Sequence, residues 1–463
     1  MTMKNRYAAT ILAGVVTAGC LLTGAATAAV GAAGNATGAA ATMASAATSG
    51  SLSLLSYNIA GLPQGLSSAP GDRTADTTLI GGRLGPFDVV NVEEDFNYHA
   101  ALYAADTSHA YRTPTSGGAG IGSGLNTLST LPYDVDDFER VKWDSCQIDS
   151  GDCLTPKGFT FMKVKLAEGV YVDFYNLHTN AGTNPGDETS RAANLSQLSA
   201  YIQTHSAGDA VVVMGDTNTR YTRSADTIAA FAAANGLTDA WVQDIRGGTA
   251  PTAGDPPLLC DETAITDSCE VVDKILYRGG KLVALNATAY HNEHASFLDS
   301  AGAMLSDHDP ISARLNWTLS NDFSASEQFG GPHGEYYSDL PSIPAGAQAK
   351  SVSLRSGSRV DQVGLTLANG TALAHGGTGG TASSLPLSTG EYVTNVNLCE
   401  GSYSGHTRIF SAKFTTNLGH SLAGGTTTSD CTAFTAPAGW QVAGFSGRAG
   451  DGVDKLGVIY TRR

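Results

Sequence analysis

The chain has 463 residues, a formal net charge of −16, and only 15% charged residues beside 55 glycines. That length exceeds one ordinary domain and predicts two or three cores. The charge excludes a basic tail that grips nucleic acid, though not a local basic groove, and the composition suits an exported, loop-rich β or α/β protein better than a helical one.

Lys4 and Arg6 precede an apolar run from about Ala8 to Leu22, and small residues follow to Ala26-Thr27-Ala28. This is the pattern of a secretory signal peptide over 1–28, too short in its apolar part for a membrane anchor. Leu21 and Leu22 continue the apolar stretch past Cys20, which argues against a lipidated cysteine. Residues 29–50 are almost all Ala, Gly, Ser and Thr, a flexible leader. No later run is long enough to cross a bilayer, so the expected location is extracellular. Of seven cysteines, six remain once Cys20 leaves with the signal, and they fall into local pairs: Cys146 with Cys153, Cys260 with Cys269, Cys399 with Cys431. An even count in an exported chain predicts disulfides, and paired C-x-x-C spacing for a metal is missing.

From Ser51 to Leu319 strand-like runs alternate with polar loops. Amphipathic helices are predicted over Ser190–Thr204, where Leu195, Leu198 and Ile202 share a face, and near Ala225–Ala234. Five strand-like segments end in or border a polar signal: Asn58, Glu94, His178, Asp216 with Asn218, and Asp307-His308 before Ile311–Leu315. Taken singly, each has an ordinary reading as a turn residue, a solvated acid or a structural histidine. Together they form a hard-oxygen donor set of Asn58, Glu94, Asp216 and Asp307 without thiolates, which suits Mg²⁺ or Mn²⁺. His308 is placed to take a proton from water, and Asp273, in Val271–Tyr277, to orient it. His178 and Asn218 would stabilise charge on phosphorus. The reaction class is metal-assisted phosphoester hydrolysis by direct water attack.

This region resembles the endonuclease/exonuclease/phosphatase superfamily, with the deoxyribonuclease-I-like fold. The resemblance rests on Tyr57-Asn58, Asp88–Glu94, Asn176-Leu177-His178, Gly215-Asp216-Thr217-Asn218, Val272–Ile275 and Ser306–Pro310. It implies an α/β two-sheet sandwich over 51–319, with Asn58, Glu94 and Asp307 at the metal and His308 as base backed by Asp273. Asp216, Asn218 and His178 would hold phosphate and nucleophile. Glu93 stands where many members carry Gln, which predicts a more acidic site, and Thr217 where Phe or Leu is common. Tyr57-Asn58 followed by Leu62-Pro63, and Lys157-Gly158-Phe159 leading into Val172–His178, are similar to the secreted sphingomyelinase-like phospholipase C branch. Arg191 and Leu195 fit its helix loosely. A lipid head group is therefore the favoured substrate, with peripheral membrane contact. A nucleic acid, a phosphomonoester such as an inositol phosphate, and a glycan-binding adhesin with an inactive first domain stay open.

After a polar joint at 320–328 the texture changes to dense glycine and short alternating strands, an all-β module over 329–463. It resembles a jacalin-like lectin, a β-prism of three four-stranded sheets, through Phe329-Gly330-Gly331, Val360–Val363, His375–Gly380, Gly390–Tyr392, Phe414–Asn417 and Trp440–Gly457. The resemblance implies a sugar site from a Gly-x-x-x-Asp loop, here Gly450-Asp451-Gly452-Val453-Asp454, and an early glycine loop at Gly330-Gly331. Backbone N–H groups and one carboxylate can meet vicinal hydroxyls. The implied glycan ligand would hold the hydrolase at a glycan-bearing surface.

Overall fold

The computed structural model describes residues 47–117, 121–148 and 151–463. The predicted signal segment and most of the leader lie outside these residues. The leader's last residues, Ser49 and Gly50, open the first strand.

The first domain runs β1 (Ser49–Asn58), α1 (Arg73–Gly81), β2 (Val89–Glu93), α2 (His99–Ala105), β3 (Tyr111–Arg112), β4 (Asn126–Ser129), β5 (Glu139–Lys142), β6 (Gly158–Ala167) and β7 (Val170–His178). It continues with α3 (Pro185–His205), β8 (Ala210–Asp216), α4 (Ile228–Ala234), β9 (Thr238–Asp239), α5 (Ala240–Asp244), β10 (Asp273–Arg278), β11 (Val283–Asn292) and β12 (Ile311–Leu319). Among the described residues these strands form two six-stranded sheets, ordered β11-β12-β1-β2-β4-β3 and β5-β6-β7-β8-β10-β9. This is the deoxyribonuclease-I-like sandwich. Leu52, Leu54 and Val89 from one sheet pack in a single core with Phe161, Tyr175, Val213 and Ile275 from the other. Strands buried this completely need few polar residues, yet two asparagines cross the sandwich. Asn91 Nδ2 donates to the Met214 carbonyl at 3.1 Å, and Asn176 Nδ2 to those of Val92 and Asn126 at 3.1 and 3.0 Å. These bonds satisfy groups that would otherwise be costly to bury.

Helix α3 starts five residues before the predicted Ser190. Asn184 and Asp187 form a capping box and Pro185 holds the first helical position, so a polar first turn is helical without an apolar stripe.

The second domain contains β13 (Phe323–Ala325), β14 (Phe329–Gly330), β15 (Glu335–Ser338), β16 (Ala349–Ser356), β17 (Val360–Leu367), β18 (Ala372–Gly376) and β19 (Thr381–Pro386). It ends with β20 (Val393–Tyr403), β21 (His406–Thr416), β22 (Ser421–Gly425), β23 (Asp430–Thr435), β24 (Trp440–Ala449) and β25 (Val453–Arg462). Two sheets are four-stranded, β18-β17-β16-β19 and β22-β21-β20-β23. The third departs from the expected four, because β13 and β14 both pair with β25 beside β24 and β15. Their inner faces meet in one core around Leu354, Val363, Leu398, Phe414, Phe445 and Leu456. The three cysteine pairs are all joined as disulfides.

The 320–328 joint is not a free connector. Phe323–Ala325 pairs with β25, and Glu327 reaches back to the first domain. Its carboxylate accepts from the Gly169 N–H at 2.7 Å and from the Tyr171 hydroxyl, and pairs with Lys165 at 2.7 Å. Arg448 pairs with Asp137 at 2.7 Å and Lys455 with Asp134 at 3.0 Å. Lys281 Nζ donates to the carbonyls of Leu340, Pro341 and Ile343, each at 2.9 Å. Burial raises the Glu327 pKa, but Lys165, Tyr171 and the Gly169 N–H outweigh it and hold the carboxyl below its ordinary value of 4.5. A depressed carboxylate stabilises above its unfolded pKa, and that contribution is lost as pH falls through the folded pKa. Glu327→Gln is therefore expected to lower the melting temperature by about 2–4 °C at pH 7. The gap to wild type should close as pH falls through the depressed folded pKa, below the ordinary value of 4.5, followed by calorimetry; a gap of constant size would contradict the assignment.

Candidate active site

The parallel pairing of β1 with β2 and of β7 with β8 brings four strand ends to one edge of the sandwich, where ligands meet α/β sheets. Asn58 lies opposite Glu93, and His178 opposite Asp216. Antiparallel β10 enters from the other direction, so its first residue, Asp273, faces Asp216. The joint with the second domain uses the other end of these strands: β7 begins at Val170 beside it and ends eight residues later at His178.

Asn58 is buried, and its Nδ2 lies 3.3 Å from Glu94 Oε1 and 3.2 Å from Asp216 Oδ2. Glu94 follows β2 with φ +55, a left-handed conformation that costs a non-glycine residue about 1–2 kcal/mol. The conformation is held because the Gly61 N–H donates to the Glu94 carbonyl at 3.0 Å, and a Cβ on Gly61 would lie 2.3 Å from that oxygen. Burial raises the Glu94 pKa, and Lys157 and the Asn58 amide only partly offset it. Glu93 points into the interior with neither carboxylate oxygen partnered. Burial, then Asp273 and Asp216, push its pKa well above the carboxylate range. Burial and the neighbouring acids thus oppose ionisation of Glu93, at the position where the resemblance leads to glutamine.

His308 Nδ1 is 3.0 Å from Asp273 Oδ2, and Nε2 is 3.7 Å from Asp216 Oδ2. Burial lowers the His308 pKa, but Asp273 and Asp216 outweigh it and hold it well above 6.5. His178 Nε2 sits 3.2 Å from Asp216 Oδ2 and 2.9 Å from Lys157 Nζ. Burial and the Lys157 charge push it down to about 3, so His178 is neutral. Burial opposes ionisation of Asp216, yet His178, His308 and Lys157 hold its pKa below the ordinary value. Asn218, at φ +49, donates its N–H to Asp216 Oδ1 at 2.9 Å and its amide Nδ2 to the Thr179 carbonyl at 3.3 Å.

The structure thus gathers Asn58, Glu94, His178, Asp216, Asn218, Asp273 and His308. Asp307 lies at the rim: it is exposed, with its carboxylate held by the Ser68 hydroxyl, and its charge acts on Glu94 and His308. The tightest set of possible ligand atoms among the described residues is Asp216, Asp273 and His308, all within 4.8 Å of one another. The sequence marks Lys157 as the head of a strand in a branch-like Lys-Gly stretch, without a role in the site. The Cys146–Cys153 loop presents Asp152, which forms an ion pair with Lys157 and steers it onto His178. Lys157→Met is expected to cut turnover by about 10²-fold and to raise the His178 pKa, read by NMR titration. An unchanged His178 titration would remove Lys157 from this role.

In the second domain, Gly331 N–H donates to the Asp454 carbonyl at 2.8 Å, joining the two predicted sugar loops. Gly330 has φ +121, and a Cβ there would lie 2.2 Å from that same carbonyl oxygen. Gly450 and Asp451 are exposed, while Gly452 and Asp454 are buried. Gly334 is a member of this cluster that the sequence did not flag: its Cβ position lies 2.6 Å from Asp454 Oδ2.

The Endonuclease/Exonuclease/phosphatase family 2 model matches residues 78–245, and the Jacalin-like lectin domain model matches residues 326–459. Sphingomyelinases of Mycobacterium tuberculosis (strain ATCC 25618 / H37Rv) and Mycobacterium bovis are each 42% identical over 279 residues, covering 59% of this chain. The match spans 54% of each relative, so the chain covers about half their length. Among solved structures, sphingomyelinase C from Streptomyces griseocarneus is 20% identical, covering 57% of this chain and 99% of its own, at TM-score 0.41. A Malaysian banana lectin is 26% identical, covering 30% of this chain and 99% of its own, at TM-score 0.28.

Proposed function

This chain joins an endonuclease/exonuclease/phosphatase-family domain to a jacalin-like lectin domain, and from that premise we propose that it is an exported phosphodiester hydrolase of sphingomyelinase type, held at glycan-bearing surfaces by its second domain. The observation that carries the hydrolase reading is the convergence of Asn58, Glu94, Asp216, Asp273, His178 and His308 on one sheet edge. The lipid substrate is supported by the 42% identity to sphingomyelinases. Three disulfides suit an oxidising, extracellular compartment, and no helix among the described residues is long and apolar enough to cross a membrane.

The donor set fits a hard divalent cation. Glu94, Asp216 and Asp273 bring three carboxylates together, Asp273 Oδ1 is buried without a partner, and Lys157 is the nearby lysine counter-charge. We assign Asn58 and Glu94 as the residues that hold Mg²⁺ or Mn²⁺, with Asp307 contributing charge from the rim. When bound, such a cation screens the phosphate and the leaving alkoxide and lowers the proton affinity of its neighbours. His308, oriented through Nδ1 by Asp273, takes a proton from the attacking water once it is itself neutral. Asp216 anchors His178 and the Asn218 backbone, while Lys157 and His178 face the phosphoryl oxygens as donors. Water attacks phosphorus, the ester oxygen of the alcohol leaves, and a phosphomonoester head group is released.

The test offers the purified full chain sphingomyelin vesicles, plasmid DNA and inositol phosphates in parallel, with Mg²⁺ or EDTA, beside a glycan-binding measurement. Mg²⁺-dependent release of phosphocholine with DNA intact is the expected result. Nicked DNA with untouched lipid would make the chain a nuclease. Silence on both, with phosphate released from inositol phosphates, would make it a monoesterase. Glycan binding without any hydrolysis would leave an adhesin.

A further inference from the structure

The predicted sugar acceptor is covered by a cation of the same domain. Asp454 is fully buried, one carboxylate oxygen (Oδ1) lies 2.5 Å from Arg408 Nη1, and the other (Oδ2) is buried with no partner. Gly334 closes over Oδ2 from one side, and Arg408, with one-fifth of its side chain exposed, stands between Oδ1 and solvent. Arg408 comes from β21, so this contact is supplied by a different sheet from the one carrying Asp454. Further basic residues lie nearby. His406 Nδ1 lies 2.8 Å from His333 Nε2 just outside, and Arg359 Nε approaches within 3.1 Å of the Gly452 Cβ position. The charged groups that act on Asp454 are Arg408, His333, Arg359 and His406, all cationic types.

A neutral hexose binds such a loop by donating paired hydroxyls to the carboxylate. Here those hydroxyls would have to displace a charge-assisted bond from a guanidinium, a stronger donor than they are. A saccharide with its own carboxylate meets the opposite situation. It can accept from Arg408, whose side chain is one-fifth exposed, while the Asp454 pair stays in place. We propose that Arg408 sets the ligand class of this site, selecting acidic saccharides over neutral hexoses. This rests on the reading of the Gly334/Asp451–Asp454 region as a sugar site.

The probes are methyl α-mannoside and methyl β-glucuronide, titrated calorimetrically into the full chain and into Arg408→Gln, which keeps a shorter polar donor without the charge. The wild-type protein is expected to prefer the glucuronide, and the variant to move the ratio of the two affinities at least tenfold towards the mannoside. An equal ratio in both proteins would overturn the role of Arg408 while leaving the sugar site standing. Binding of neither probe by either folded protein would overturn the sugar-site reading, and this inference with it. A salt titration of wild type needs no variant: glucuronide affinity should fall with ionic strength while mannoside affinity holds. Salt-independent glucuronide binding would contradict a charge-selecting Arg408.

Discussion

His308→Ala is expected to lower kcat for phosphodiester hydrolysis by at least about 10³-fold. The imidazole combines an orienting bond to Asp273 at 3.0 Å with an Nε2 that faces the carboxylate cluster. Its side chain is only one-fifth exposed, so circular dichroism is used to check that the variant folds. Asp273→Asn gives a finer reading. With Asp273 charged, His308 holds its proton to higher pH than a free imidazole, so activity must rise through that titration. Removing the Asp273 charge lowers the His308 pKa, and the rising limb of kcat/KM should move to lower pH while kcat falls. A limb that stays in place, or a His308→Ala enzyme within tenfold of wild type, would remove His308 as the base.

Glu94→Gln is expected to abolish divalent-cation binding and to reduce turnover to the level reached in EDTA, a loss of at least about 10³-fold. The side chain keeps its shape and its contact with Asn58 but loses the charge that a hard cation needs. Calorimetric titration with Mg²⁺ and Mn²⁺ separates metal loss from unfolding. Asp307→Asn serves as the contrast. Its exposed carboxylate is already held by Ser68, so metal affinity should drop by less than about tenfold. Full metal affinity in Glu94→Gln would move the metal to another set, and the Asp216, Asp273 and His308 cluster would then be the candidate.

The strand ends were legible because each functional residue terminates an apolar run, and the two-residue period fixes where such runs stop. Asn58, Glu94, His178 and Asp216 are all of this kind. The start of α3 was not legible as an apolar period, because its first turn is polar and owes its helical form to Asn184, Pro185 and Asp187. Lys157 escaped because its position depends on Asp152 and a disulfide loop, and nothing in the local sequence records its contact with His178. Glu93 read as an extra charge because burial, which opposes its ionisation, is a tertiary fact. Arg408 escaped for the same reason: β21 and β25 meet at Asp454 only once the prism closes. Residues 320–328 read as a connector from their polarity, although that polarity is what binds Glu327 to Lys165 and Tyr171.

We propose that this chain directs water onto the phosphorus of a choline phosphodiester and releases the lipid alcohol. Turnover of sphingomyelin in ¹⁸O-enriched water with Mg²⁺, followed by mass spectrometry of both products, tests it most directly. The label is predicted in phosphocholine, with ceramide unlabelled and no label incorporated by His308→Ala. Label in a ceramide phosphate, or no turnover by the metal-loaded wild-type chain, would contradict the account.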